Sequence, residues 1–433
     1  MNTVSYSLEG RSTKKVVKHV YLTRELSRFF FLFLAVGLVL PSTGQHGLLS
    51  PKSLLLLLAL GSTGLHCLIS RRLRPRFIWL SLIGIVLLLG LSVEVAQFKV
   101  VRPFHTLGPM VDQFKMFIVT FLATCTMVYW GTVLNDGFQK ILHTMLWANF
   151  VYCFLKTAFV VSVFIQIVNG MQLLKLAQIQ VMTTGIIGGL SRFQTSADIP
   201  TPYLLFFALN STAWGVNWTK RARNIYIVLA LFTIFISYSR FLWAITAVFL
   251  VLHILSSITE RAFVRGCVTA VLLVITLAPL GMFSGSQQVI YNRFLSGEVK
   301  QSDQVRSDQI EALFCQYEQH PFIGNGLGAY SDRCIRDSNN PHYYEVQWVA
   351  FFMQFGFLGS SLLILLLGSV LWPYMQPPLT WLKLTTSIVY IMWLLSGFTN
   401  PFLISLNSGF IYGLFLLAGW HLKPAHFRRS NTY

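Results

Sequence analysis

The sequence predicts an all-α integral membrane protein of about 12 transmembrane helices with a partly helical outer loop, and three observations carry that expectation. Of 433 residues, 54% are hydrophobic and 11% charged, whereas a soluble domain carries about 25% charged residues. Such a chain needs a solvent other than water. Twelve segments approach the roughly 20 apolar residues that cross a ~30 Å hydrocarbon core. Lysine and arginine are also concentrated in alternate connections between those segments, as cytoplasmic loops require.

The spans are expected at 26–43, 53–70, 77–97, 114–133, 141–168, 202–218, 224–238, 241–257, 266–283, 347–372, 384–398 and 409–421. Only Ser237-Tyr238-Ser239-Arg240 separates the apolar runs between 224 and 257, which together would be too long for one crossing helix. The tetrad therefore reads as a tight hairpin at the membrane surface. The basic N-terminal tail ahead of Phe29–Leu40 resembles a targeting signal, but no clean cleavage site follows, so a first topogenic span is expected. No repeat or second soluble domain is visible, and residues 1–433 read as one polytopic unit.

The formal charge of +18 would ordinarily raise nucleic acid as a partner. Its placement argues otherwise. Twenty basic and four acidic residues fall on one side of the twelve-span layout, giving +16 there and +2 elsewhere. That distribution predicts cytoplasmic termini and contact with anionic lipid headgroups, without nucleic acid. The opposite face holds the long segments 98–113, 169–201 and 284–346. Long loops of this kind tend to be either functional or disordered, and these are long enough to build a site.

The segment 284–346 contains eight of the fifteen acids. Ile310, Leu313, Phe314 and Tyr317 recur there at helical spacing, predicting an amphipathic helix over about 303–319 with Arg306 near its start. His320-Pro321 ends it, Gly324-Asn325-Gly326-Leu327-Gly328 follows as a turn, and Asn339-Asn340-Pro341-His342 reads as a capped helix start. Cys315 and Cys334 either form a disulfide, if the loop faces an oxidising compartment, or are two small buried residues.

The order Arg306, Pro321-Phe322-Ile323-Gly324-Asn325-Gly326-Leu327-Gly328, His342-Tyr343-Tyr344-Glu345 and Phe355-Gly356-Phe357-Leu358-Gly359 resembles the C-terminal signature of the O-antigen ligase and O-antigen polymerase superfamily. Ser237-Tyr238-Ser239-Arg240 is similar to that family's Ser-x-Ser-Arg element, and Arg192 to an earlier outer-face arginine. Tyr343 stands where asparagine is usual, and Ile310 where tryptophan is often found. The likeness covers about 190–360. It implies a bacterial inner-membrane enzyme in lipopolysaccharide biosynthesis, with 284–346 as a periplasmic loop. Its donor would be an undecaprenyl-diphosphate-linked glycan, and its acceptor lipid A core (a ligase) or a growing glycan (a polymerase). The ligase is the leading expectation.

Such a transfer needs a proton acceptor and cations for the leaving diphosphate. His342 suits the first role, since an imidazole is partly neutral near pH 7; the alternative is a capping or packing histidine. Arg240 and Arg306, with Arg192 and Arg293, suit the second, because guanidinium pairs bidentately with phosphate oxygens. Lys156 in the fifth span either assists them or snorkels to the surface. His342, Arg240 and Arg306 are the expected catalytic residues. The sequence has no His-Glu-x-x-His and no Asp-x-Asp pair, so a metal-independent glycosyltransferase without cofactor is expected. A lipid-linked glycan flippase or small-molecule transporter also uses twelve spans, but predicts a repeat between halves and polar residues near the midplane.

Overall fold

The computed structural model of the chain describes residues 6–41, 51–70, 75–167, 193–256, 297–335 and 340–422. Its helices are α1 (Tyr6–Val39), α2 (Pro51–Ser70), α3 (Pro75–Val101), α4 (Gly108–Val133), α5 (Gly137–Phe164), α6 (Thr201–Leu209), α7 (Lys220–Ile236), α8 (Arg240–Ser256), α9 (Gly297–Tyr317), α10 (Gln347–Gly368), α11 (Trp372–Met375), α12 (Trp381–Leu395) and α13 (Leu406–His421). Among the described residues no β-strand forms, beyond a single bridge residue at Gln194.

Six stretches are long and apolar enough to cross a membrane: Pro51–Ser70, Trp79–Val101, Gly108–Val133, Gly137–Val163, Gln347–Met375 and Trp381–Phe398. Together they make an all-helical, multi-pass membrane protein. The spans expected at 224–238, 241–257 and 409–421 correspond to the shorter α7, α8 and α13, of 17, 17 and 16 residues. The span expected at 202–218 is a nine-residue helix followed by turns. Nine residues rise only about 14 Å, less than half of a bilayer core. The span expected at 266–283 lies outside the described residues, as does 284–296. The outer segment expected at 98–113 shrinks to the six residues between α3 and α4, because both helices run past their apolar stretches.

Close packing of α4 on α13 forms the centre of the bundle. A Cβ on Gly409 would lie 2.5 Å from the Thr120 carbonyl oxygen, and one on Gly413 would lie 2.9 Å from Met127 Cβ. Hydrogen lets the two backbones approach where any side chain would hold them apart. Thr120 and Thr124 then donate across the contact to the carbonyls of Ser405 (3.0 Å) and Gly409 (3.1 Å). Around this pair, α1 contributes buried Phe30, Phe33 and Leu34, and α5 buried Ile141, Met145 and Leu146. On α2 and α3, by contrast, Leu54, Leu57, Leu68, Leu82 and Leu89 are exposed, as lipid-facing residues should be.

The short helix α6 is buried along its whole length, and a polar stripe on α5 holds it there. Asn149 donates to Thr201 Oγ1 (3.0 Å), Tyr152 donates to Asp198 Oδ1 (2.8 Å), and Lys156 Nζ donates to the same carboxylate oxygen (2.7 Å). The Lys156 and Asp198 side chains are 1% and 0% exposed. Lys156 is therefore neither snorkelling to the surface nor open to a ligand. Its chain is long enough to reach out, but a carboxylate inside the bundle already satisfies it. Lys156 also donates to the Thr233 carbonyl (3.3 Å), which ties the pair to the end of α7 that leads into the Ser237–Arg240 turn.

At the same end of the bundle, α10 is broken. Gly356 has φ 61° and ψ −168°, a conformation essentially restricted to glycine. The gap admits the backbone of 321–328. Asn325 and Gly326 donate to the carbonyls of Met353 (3.0 Å) and Gln354 (2.8 Å), while Phe357 and Leu358 donate back to Pro321 (2.8 Å) and Phe322 (3.1 Å). The groups freed by the break are thus satisfied by the inserted chain, as a buried backbone demands. Beyond the break the helix resumes and runs to Gly368, within the span expected at 347–372.

Candidate functional site

The Ser237–Arg240 tetrad does break the apolar run, and the chain turns back there. Tyr238 adopts φ 46°, and Trp243 of α8 stacks on Phe235 of α7 with ring centroids 5.4 Å apart. Ser239 caps α8: its carbonyl accepts from Trp243 N (3.0 Å) and its hydroxyl oxygen from Leu242 N (3.5 Å). Arg240 is consequently the first residue of α8, with its stem at the edge of the bundle and its side chain 28% exposed.

Helix α9 supplies the second cation. It begins at Gly297, earlier than the expected start near 303, so Arg306 lies mid-helix rather than in the first turn. Its buried face is Gln309, Ala312 and Leu313, whereas Ile310 and Phe314 are exposed. The expected apolar face is therefore split, with only part of it packed inward. Leu313 belongs to the second core cluster with Phe98, Leu327, Tyr344 and Phe351, and this packing anchors α9 to the helix bundle.

Arg240 and Arg306 converge on one carboxylate. Asp303 Oδ1 lies 3.4 Å from Arg240 Nη2 and 3.1 Å from Arg306 Nη1. Arg306 Nε in turn donates to Glu345 Oε2 at 2.9 Å. The Glu345 backbone N–H donates to Oε1 of fully buried Gln309 (3.2 Å), so α9 grips the 340–346 turn through both a side chain and the main chain. Segments distant in sequence thereby place two guanidiniums and two carboxylates at one end of the bundle.

His342 lies in the same turn as Glu345, three residues before it. It is not in a helix: α10 begins at Gln347, and Pro341–Val346 precede it as turns. The imidazole is 7% exposed and lines a small cleft with Gln113, Tyr343, Tyr344, Gln347 and Gln354. Gln113 donates to Gln354 Oε1 (2.7 Å) and accepts from Gly328 N (2.5 Å), so the glycine turn forms part of the wall behind this cleft. Tyr344 accepts from Ser331 N (2.8 Å), and burial pushes its phenol up to about 12, so it stays protonated at neutral pH. Arg192 and Arg293 lie outside the described residues. Cys315 and Cys334 are free thiols, and Arg333 Nη1 donates to Cys315 Sγ (3.6 Å), so the disulfide is not formed.

Residues 225–364 match the family model described as O-antigen ligase. Over that stretch the chain is similar to the O-antigen ligase superfamily. The matched stretch runs from α7 into α10 and contains Arg240, Asp303, Arg306, the glycine turn and His342, so the O-antigen ligase signature and the charged cluster coincide. No curated protein matches the chain, and no solved structure does.

Some members of this candidate site were not reached from the sequence. Asp303 marked only a helix start, and Gln113, Gln309 and Gln354 carried no motif. The i, i+3 spacing of Asp303 and Arg306 was the one local signal for their pairing.

Proposed function

We propose that this protein is a membrane glycosyltransferase of the O-antigen ligase type. It would move a glycan from undecaprenyl diphosphate to a hydroxyl of lipid A core at the periplasmic face of the bacterial inner membrane. The observation that carries the reading is the convergence of Arg240 and Arg306 on a single anionic group, Asp303 Oδ1, next to the turn that holds His342.

In this reading His342 accepts the proton of the acceptor hydroxyl as its oxygen attacks the anomeric carbon. The bond from that carbon to the diphosphate oxygen breaks, and the departing diphosphate keeps the electron pair. Arg240 and Arg306 stabilise the charge that develops there, the point at which fixed cations act most strongly. Glu345 holds the Arg306 guanidinium through Nε and leaves its Nη groups directed elsewhere. Extension of the carrier-linked glycan uses the same chemistry with a different acceptor, so the test is built to separate the two.

His342→Ala and Arg240→Ala, introduced into strains lacking either the ligase or the polymerase, are expected to fail to complement. Loss of polymeric glycan on lipid A with carrier-linked polymer retained identifies a ligase, whereas a single-repeat product identifies a polymerase. Each substitution is expected to lower transfer by about 10²-fold or more, the usual scale for removing a general base or a charge-stabilising donor. Wild-type ladders from both variants at normal protein levels would remove these residues from the mechanism.

A further inference from the structure

Two guanidiniums at one place repel each other, and in this protein a single carboxylate oxygen lies between them. The two carboxylates of the cluster are not equivalent. Glu345 is 19% exposed and held by Arg306 Nε, with its backbone fixed by Gln309. Asp303 is 58% exposed, and its contacts to Arg240 and Arg306 both run through Oδ1. An exposed pair of this kind is weak, because water competes for both partners. Asp303 also lies one helical turn before Arg306, so a change of side-chain rotamer alone would withdraw it, with no movement of α9.

We propose that Asp303 is a specificity-determining residue that occupies the anion position between Arg240 and Arg306 and yields it most readily to a ligand with two linked phosphoryl groups. The inference rests on the reading of this arginine pair as the diphosphate site. A ligand with one phosphoryl group that displaces Asp303 exchanges one anion for another and gains little. A diphosphate can place a phosphoryl group on each guanidinium while Asp303 turns to water, so it gains contacts that the carboxylate cannot supply. Asp303 thereby lowers the affinity for every anion, and lowers it most for those that bridge least. Discrimination arises from competition inside the site, by disfavouring the wrong ligand.

The test uses the full chain in detergent micelles, with binding of inorganic pyrophosphate and of orthophosphate measured calorimetrically for wild type and Asp303→Asn. The wild type is expected to prefer pyrophosphate. In Asp303→Asn both anions are expected to bind more tightly, orthophosphate by about tenfold and pyrophosphate by about threefold, so the preference shrinks about threefold. If the wild type binds pyrophosphate and the variant binds it equally or more weakly, Asp303 merely orients the arginines or is a bystander, and this inference alone is overturned. If the wild type binds no pyrophosphate, the arginine reading itself is overturned and the inference goes with it. Asp303 is exposed and its replacement isosteric, so size-exclusion profiles of the two proteins should coincide.

Discussion

Alanine at Gly326 is expected to leave almost no folded protein in the membrane fraction. Gly326 has φ +90°, and a Cβ there would lie 2.3 Å from the Phe98 backbone nitrogen in α3. Gly356 behaves alike: at φ +61°, its Cβ would lie 2.4 Å from the Phe322 carbonyl carbon. In both cases the obstructing atoms are main chain, so no rotamer change relieves the clash. Left-handed backbone costs a non-glycine residue about 1–2 kcal/mol, and overpacking adds typically 1–3 kcal/mol. Each substitution should therefore remove about 2–5 kcal/mol, a large share of the stability of most proteins. The strain also falls where the 321–328 turn enters the gap in α10, so the wall behind His342 should be lost with it. Gly61 has ordinary helical backbone and no atom within 4 Å of a built Cβ. Alanine there is expected to be neutral or to gain up to about 1 kcal/mol of helix propensity. Thermal midpoints of the detergent-solubilised proteins, followed by fluorescence-detected size exclusion, compare the three. A Gly326→Ala protein with wild-type yield and midpoint would show that the turn does not pack as described.

Those glycines illustrate which parts of the structure were legible in the sequence. The spacing Gly324, Gly326, Gly328 announced a turn with unusual backbone, and all three do take positive φ. What they turn around was hidden, because their partners Phe98, Met110 and Gln354 lie on three other helices and nothing local marks them. The same division holds at the charged cluster. Arg240 was singled out because a cation interrupts two apolar runs, and Arg306 because it accompanies a motif. Their meeting through Asp303 depends on where α8 and α9 come together, which periodicity does not encode. His342 was assigned to a helix because Asn-Pro commonly opens one, yet the helix waits until Gln347. Between them, the Glu345 backbone is tied to Gln309 and the Tyr344 hydroxyl to Ser331, so tertiary contacts override the local preference. The apolar face of α9 was correct as periodicity and incomplete as burial. Hydropathy shows that a side chain is apolar, and in a membrane protein that is compatible with lipid as well as with a core.

Lys156→Met is expected to destabilise the protein more than any single charge removal on its surface. Asp198 is 0% exposed and accepts from Lys156 Nζ (2.7 Å), from Tyr152 OH (2.8 Å) and, through Oδ2, from Thr195 N (2.8 Å). Without the lysine, a carboxylate remains fully buried with one donor fewer. Breaking a buried pair from one side costs about 3–5 kcal/mol, because it strands the opposite charge. The damage should spread along chemically defined routes. Asp198 closes the capping box with Thr195 just ahead of α6, and Lys156 also holds the Thr233 carbonyl three residues before the end of α7. Loosening that end should disturb the Ser237–Arg240 turn, so activity should fall along with stability. The double variant Lys156→Met, Asp198→Asn separates charge from packing. Asparagine carries no charge. Its one oxygen can accept from Thr195 N while its amide N–H donates to Tyr152 Oη, whose proton then turns to Thr195 Oγ1 (2.7 Å). The double variant is therefore expected to recover most of the loss seen in the single one. That ordering, wild type above the double variant and the double above Lys156→Met, can be read from thermal midpoints in one detergent. A double variant no more stable than Lys156→Met would mean that the lysine acts through its packing and its bond to Thr233, and that the stranded charge contributes little.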